Sequence, residues 1–226
     1  MAGRLVEISS HRAAATLTTA FELVLEAQRH EEPVSWVTLE HSTFFPPDAA
    51  DMGVSLEMLA VIRLSDPHAA MRATVQLTRS GGFGLVIVDL GPADILGALN
   101  TRRALSPRAG RGAAASRSES RVTAPSARIG RQTALRDTYR SHRKKKLSTP
   151  LLTKLVGLAQ KNDTAVVFLT EKPSQESSLS SLISLRVETR RSQDSPCDVE
   201  LSVLKDKRRG PGRSFHEVYR APAGLR

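Results

Sequence analysis

The chain has 226 residues, 33 Lys and Arg against 23 Asp and Glu for a formal charge of +10, and 40% hydrophobic residues with few aromatics. That is enough for one domain with a real core. Its apolar runs, such as Ala165-Val166-Val167-Phe168-Leu169, fall far short of the roughly 20 residues a membrane helix needs, so no membrane partner is expected. Met1-Ala2-Gly3-Arg4-Leu5-Val6-Glu7 lacks the apolar stretch and cleavage site of a secretory signal. The single Cys197 allows neither an intrachain disulfide nor a cysteine metal site, and is expected to be a buried thiol in a protein of the reducing cytoplasm.

In chain order, Leu5-Val6-Glu7-Ile8 reads as a strand, residues 13–31 as a helix and Val34-Ser35-Trp36-Val37-Thr38-Leu39 as a second strand. Met58-Leu59-Ala60-Val61-Ile62, a helix over 67–80 and Leu85-Val86-Ile87-Val88-Asp89 follow. This strand–helix repetition predicts an α/β domain with a mainly parallel sheet, and the unbroken apolar run 85–88 predicts a strand covered on both faces. From Leu147 a helix through Leu151, Leu152, Leu155, Val156, Leu158 and Ala159 leads into a buried strand, Thr164–Thr170. Ile183, Leu185 and Val187 then alternate with polar residues, as do Val199, Leu201 and Val203. Those two segments predict amphipathic, antiparallel strands at the sheet's C-terminal edge.

The charge is confined to one stretch. Residues 100–149 hold 14 Lys and Arg against two acids, Glu119 and Asp137, a net +12, so the other 176 residues sum to −2. Rich in Arg, Ser, Ala, Gly and Pro, this stretch is expected to be a disordered, low-complexity insertion. The expected organisation is an N-terminal half of one core over 1–99, a basic insertion over 100–146, and the core's C-terminal half over 147–226.

The order and spacing of several motifs resemble the RecA recombinase core. Gly3-Arg4-Leu5-Val6-Glu7-Ile8 is similar to the strand before that family's phosphate loop, and Trp36-Val37-Thr38-Leu39-Glu40-His41 to the strand that ends in its catalytic Glu. Leu85-Val86-Ile87-Val88-Asp89 resembles the Walker B strand, and Leu204-Lys205-Asp206-Lys207 the late lysine pair. The resemblance implies a three-layer α/β fold with a mainly parallel central sheet and antiparallel C-terminal strands. Phe44-Phe45-Pro46-Pro47, Thr170-Glu171-Lys172-Pro173 and Lys205-Asp206-Lys207-Arg208-Arg209-Gly210-Pro211-Gly212 most resemble the ImuA-type relatives, RecA-like accessories of damage-induced mutagenesis. That implies error-prone polymerase components or a RecA-like protein as partners.

A phosphate loop needs glycines for close backbone approach, a Lys for the β/γ oxygens and a Ser/Thr hydroxyl for Mg²⁺. Here the family's glycine positions fall on Ser10 and Ala15, the lysine on Thr16 and the hydroxyl on Leu17. A register shift brings only Arg12 or Thr18, and no Gly lies between Gly3 and Gly53. The nucleotide positions Thr16, Leu17 and Asp89 are therefore read as degenerate, Glu40 as a vestigial catalytic residue, and no ATP, Mg²⁺ or other cofactor is expected. Residues 9–20 read instead as a helix start capped by Ser9 or Ser10. Glu40 and Asp89 read equally as solvated strand-end acids, and His41 has no second ligand at metal spacing. Glu171 stands where RecA proteins carry a γ-phosphate-sensing Gln, and its charge repels phosphate.

Non-specific DNA binding is the stronger expectation. The resemblance puts the basic insertion, with Arg140, Arg143, Lys144, Lys145 and Lys146, at the family's first DNA loop, while the second shrinks to seven residues without Gly between Glu171 and Leu179. An Arg-rich arm neutralises phosphates without needing order; it reads equally as a solvated linker. A second basic cluster holds Lys205, Lys207, Arg208, Arg209 and Arg213; of these, Lys205, Lys207, Arg208 and Arg209 are expected to touch a subunit or DNA, or to guard a sheet edge against pairing. The chain begins at the core's first strand, so filament assembly through a preceding helix and strand is not expected. The function this implies is a non-catalytic RecA-like accessory to error-prone translesion synthesis in the DNA-damage response. An ATP-dependent recombinase, and a decayed paralogue that binds nucleic acid non-specifically, are the alternatives.

Overall fold

The computed structural model describes residues 3–10, 15–40, 42, 44–92, 149–192, 195 and 197–219. The basic insertion, with Arg140, Arg143 and Lys144–Lys146, and residues 11–14 of the phosphate-loop position lie outside the described residues. In chain order the described elements are β1 (Leu5–Ser10), α1 (Thr16–Arg29), β2 (Val34–Leu39), α2 (Pro46–Asp51), β3 (Leu59–Leu64), α3 (Pro67–Ser80), β4 (Leu85–Pro92), α4 (Thr149–Lys161), β5 (Ala165–Glu171), β6 (Leu185–Arg191), β7 (Asp198–Asp206) and β8 (Ser214–Val218).

Apolar residues at both parities of β1, β2, β4 and β5 demand cover on both faces, and helices supply it. α1 lays Ala20, Phe21, Val24 and Ala27 on Val6, Ile8, Trp36, Ile87 and Val167. On the opposite face, Ala70, Met71 and Val75 of α3 and Leu152, Leu155 and Ala159 of α4 cover Leu5, Val37, Val86, Val88 and Phe168. The strands run in the order β3-β2-β4-β5-β1-β6-β7-β8. All pairings from β3 through β6 are parallel, and β6–β7 and β7–β8 are antiparallel. The expected three-layer α/β architecture with an antiparallel C-terminal edge is therefore observed.

Local chemistry sets the element ends. α3 starts where the Asp66 side chain accepts from the Ala69 N–H at 2.9 Å, with Pro67 in its first turn, and stops at Gly81 in the left-handed conformation, φ 69°. α1 does not start as expected: Ser9 and Ser10 belong to β1, and the residue before the helix is Ala15, which has no side-chain cap. Pairing with β5 and β6 keeps both serines extended. The Phe-Phe-Pro-Pro motif is explained by packing. Phe44 is buried against Phe21 and Trp36, with centroids 6.0 and 4.8 Å away, and the prolines open α2. The sequence pattern announced neither α2 nor β8. Cys197 is only half-buried, because it precedes β7 outside both cores.

β6 inverts the expected amphipathic pattern. Arg186 and Glu188 are the buried residues, each 3% exposed, whereas Leu185 and Val187 are half-buried on the other face. The cause is a polar network centred on Glu7, which is fully buried in β1. The Lys172 ammonium pairs with Glu7 Oε1, which also accepts from Thr170 Oγ1 at 3.1 Å. Oε2 accepts from the Leu179 N–H at 3.0 Å. Lys172 further donates to the Ser177 carbonyl at 2.8 Å. Arg186 donates to Ser9 Oγ at 3.2 Å, to the Pro173 carbonyl at 3.0 Å and to the Glu176 carbonyl. The β5–β6 connection is thus fastened to the sheet by buried charge, and Leu179 and Leu182 pack on the α3–α4 side.

Burial pushes the Lys172 ammonium below its ordinary pKa, and Glu7 opposes that shift. Losing either partner leaves an uncompensated buried charge, which costs about 3–5 kcal/mol. In urea unfolding, Lys172→Met is expected to lower stability by about that much. The double variant Glu7→Gln/Lys172→Met should lose less than the sum of the two single losses; additive losses would show that the pair is not coupled.

Candidate functional site

Open parallel α/β sheets bind ligands beyond the carboxyl ends of their strands, and that end holds Thr16, Leu17, Glu40, Asp89 and Glu171, all singled out from sequence. Asp89, in register with Thr38 across β2–β4, is 6% exposed. Its Oδ2 accepts from Thr38 Oγ1 at 3.2 Å and from Ser42 Oγ, and its Oδ1 accepts from the Gly91 N–H at 3.1 Å. Ser42 Oγ in turn accepts from the Phe44 N–H at 3.0 Å. Asp89 thereby ties the β2–α2 turn to the end of β4.

Glu40, one residue past β2, is exposed, and its backbone N–H donates to the Leu64 carbonyl at 3.0 Å. Thr16 is buried at the start of α1; its hydroxyl donates to Ser10 Oγ at 2.6 Å and lies 3.4 Å from Thr189 Oγ1. Leu17 packs against the α1-side core. Glu171, in register with Ser10, is exposed. The structure joins Thr16 to Ser10 and Asp89 to Thr38 and Ser42; it shows no hydrogen bond linking Glu40 to either group among the described residues.

The late basic cluster lies at the opposite end of the sheet. Asp206 pairs with Leu185, which pairs with Val6 near the start of β1. Lys205 is on β7 rather than on the edge strand, which is β8, so guarding an edge does not account for it. Its ammonium donates to the carbonyls of Ser180 and Ser181 at 3.3 and 3.4 Å, and burial, with Lys207 next, lowers its pKa. Lys207, Arg208 and Arg209 are exposed in the β7–β8 turn, where Gly210 and Gly212 take φ of 77° and 92°, angles open to glycine without steric cost.

Asp206 organises this turn. It accepts from the Arg208 N–H at 2.9 Å, from Arg213 at 2.6 Å and from Arg4 at 3.3 Å. Beside it is a hollow of about 420 Å³ lined by Arg4, Arg208, Arg209 and Arg213 and floored by Leu185, Val187, Leu201, Val203 and Phe215. Arg213 belongs to the late basic cluster read from sequence; Arg4 and Phe215 were not singled out from sequence. A Gly-Pro-Gly turn followed by Arg213-Ser214-Phe215-His216-Glu217-Val218 is a hairpin signal that would have found β8, but the convergence of Arg4 is tertiary.

No family model matches the chain. It is 30% identical over 87 residues to the protein RecA of Colwellia psychrerythraea, covering 38% of this chain and 25% of that protein. With the RecA of Rhodospirillum rubrum it shares 33% over 87 residues, 38% of this chain and 24% of that protein. The matched stretch thus spans about a quarter of the curated relatives. A crystal structure of the RadB recombinase superposes with a TM-score of 0.59 at 15% identity, over 95% of this chain and 86% of that one. Fold and sequence together define the class: the chain has a RecA-like fold, with a stretch of sequence similar to RecA. RecA is its counterpart in sequence over that stretch, and RadB in fold over nearly the whole chain.

The Asp206 carboxyl is held below the usual carboxylate range, first by the Arg208 N–H and further by Arg209, Arg4 and Arg213, against the opposing effect of burial. The unfolded chain therefore binds more protons than the folded one in acid. The stabilisation is complete near neutral pH and is lost as pH falls through the depressed pKa. Thermal unfolding across this range should show Asp206→Asn less stable at neutral pH, with the gap to the parent closing in acid. A gap independent of pH would refute the assignment.

Proposed function

We propose that this is a non-catalytic RecA-like protein of the DNA-damage response, an ImuA-type accessory to error-prone translesion synthesis in the cytoplasm, which holds DNA non-specifically through basic segments. The observation that carries the non-catalytic reading is the set of hydrogen bonds at the carboxyl end of the sheet. The residues present do not fit a magnesium-bound triphosphate. Both Asp89 oxygens are occupied by Thr38, Ser42 and Gly91, the Thr16 hydroxyl is spent on Ser10, and an apolar Leu17 follows it. No ammonium stands at the start of α1 among the described residues.

Support for the accessory role comes from the three ImuA-like motifs. Each has a structural use here: Phe44 in the aromatic cluster, Thr170 and Lys172 on Glu7, and Asp206 in the arginine-bound turn. Support for DNA contact comes from the net +12 of residues 100–149, including Arg140, Arg143, Lys144, Lys145 and Lys146. Error-prone polymerase components or a RecA-like protein are the partners this reading names.

Two measurements test it. ATP with Mg²⁺ should produce no thermal shift, and Asp89→Asn should leave DNA affinity unchanged; a nucleotide-dependent shift abolished by that substitution would favour the recombinase reading. Deleting residues 100–146 should weaken single-stranded DNA binding and flatten its salt dependence by about 0.7 log unit for each phosphate that the arm neutralises. Unchanged affinity and slope would remove the arm from the mechanism.

A further inference from the structure

α1 covers its face of the sheet from β2 to β1 and meets β6 at that strand's C-terminal end, where Thr16 lies against Thr189 and Thr18 accepts from Arg191. Beyond β1 the same face continues over β6, β7 and β8, where Leu185, Val187, Leu201 and Val203 form an apolar floor. Among the described residues no helix lies on it. Phe215 stands on this floor, in register with Leu201, and is 48% exposed. Its ring is thus half-exposed beside the arginine-lined hollow.

The rim is cationic. Arg4 and Arg213 share one carboxylate, Asp206, and the Nε–H of each has no hydrogen-bond partner among the described residues. The Arg208 and Arg209 side chains have no partner among the described residues. Four guanidinium groups thus surround a single acid that two of them already neutralise. Charge excludes two occupants. The chain's own basic insertion carries net +12, and a second copy docked face to face would set arginines against arginines. The occupant must be an anion with a flat apolar body.

We propose that this hollow is a nucleotide subsite for single-stranded nucleic acid: a base stacks on Phe215 over the Leu185–Val203 floor, and its flanking phosphates lie on Arg208 and Arg209. Aromatic rings in a positively charged groove are how proteins hold single strands without reading sequence. The arginine rim lies at the end of the sheet opposite Asp89, while Phe215 stands two strands across from Thr189, the β6 residue that meets Thr16. It rests on the reading above that DNA is the ligand, and adds a stacking contact that the aromatic-poor arm does not supply.

The test uses the full chain and a labelled oligothymidine, with fluorescence anisotropy at low and high salt. Salt suppresses the electrostatic contribution of the arm while leaving stacking in place. Phe215→Leu keeps the apolar bulk but removes the ring, and is expected to weaken binding about tenfold at both salt concentrations; Phe215→Trp should restore it. Arg208→Gln/Arg209→Gln should reduce the salt slope by about 1.4, from two phosphates at about 0.7 each. An oligomer with abasic sugars should bind weakly and ignore Phe215→Leu. Wild-type affinity in Phe215→Leu, equal binding of the abasic strand, or equal competition by free thymidine monophosphate would overturn the proposal. So would equal competition by an acidic peptide, which would assign the groove to a protein partner. If deleting the arm changes nothing while the Phe215 effect persists, the arm fails and the groove stands.

Discussion

The Glu7 carboxylate, fully buried in the strand at the centre of the RecA-like core, constrains much of the C-terminal half. A buried charge demands a partner and a full set of hydrogen bonds, and here these come from Thr170, Lys172 and the Leu179 N–H. All three belong to β5 and the connection after it, so the carboxylate dictates where that connection runs. Arg186 completes the arrangement from β6. The segment at the position of the second DNA loop in the RecA resemblance is thus fastened to the sheet.

The same network explains which side of the antiparallel extension is open. Since Arg186 and Glu188 turn toward the buried polar face, Leu185 and Val187 must point to the other, which α1 meets only further along β6, at Thr189 and Arg191. Asp206 then draws Arg4 and Arg213 to the border of that uncovered surface. A requirement for satisfying charge inside the fold therefore creates an apolar, arginine-rimmed surface outside it.

At the carboxyl ends of the parallel strands, Asp89 joins two segments of the fold. An acid closing a buried strand next to Thr38, Ser42 and Gly91 has a structural use, fastening the turn that presents Phe44 to the aromatic cluster. That use alone suffices to retain it. The residues that give a phosphate loop its specificity, glycines and a lysine, are absent from Ser10, Ala15 and Thr16.

Strand and helix order through β5 was legible because apolar runs of five or six residues between helical patterns allow little else. α2 escaped because six residues opened by two prolines leave no periodicity, and β8 because all of its residues are exposed. Ser9 and Ser10 read as helix caps because their strand pairing with β5 and β6 is long-range. The sequence by itself determined the fold class and the segregation of charge, since composition and local periodicity carry that information. Only the tertiary structure decided that Glu7 and Lys172 meet, that β6 turns its charges inward, and that Arg4 joins Asp206 beside Phe215. Those pairings join parts of the chain that are far apart in sequence, and burial, not local pattern, selects them.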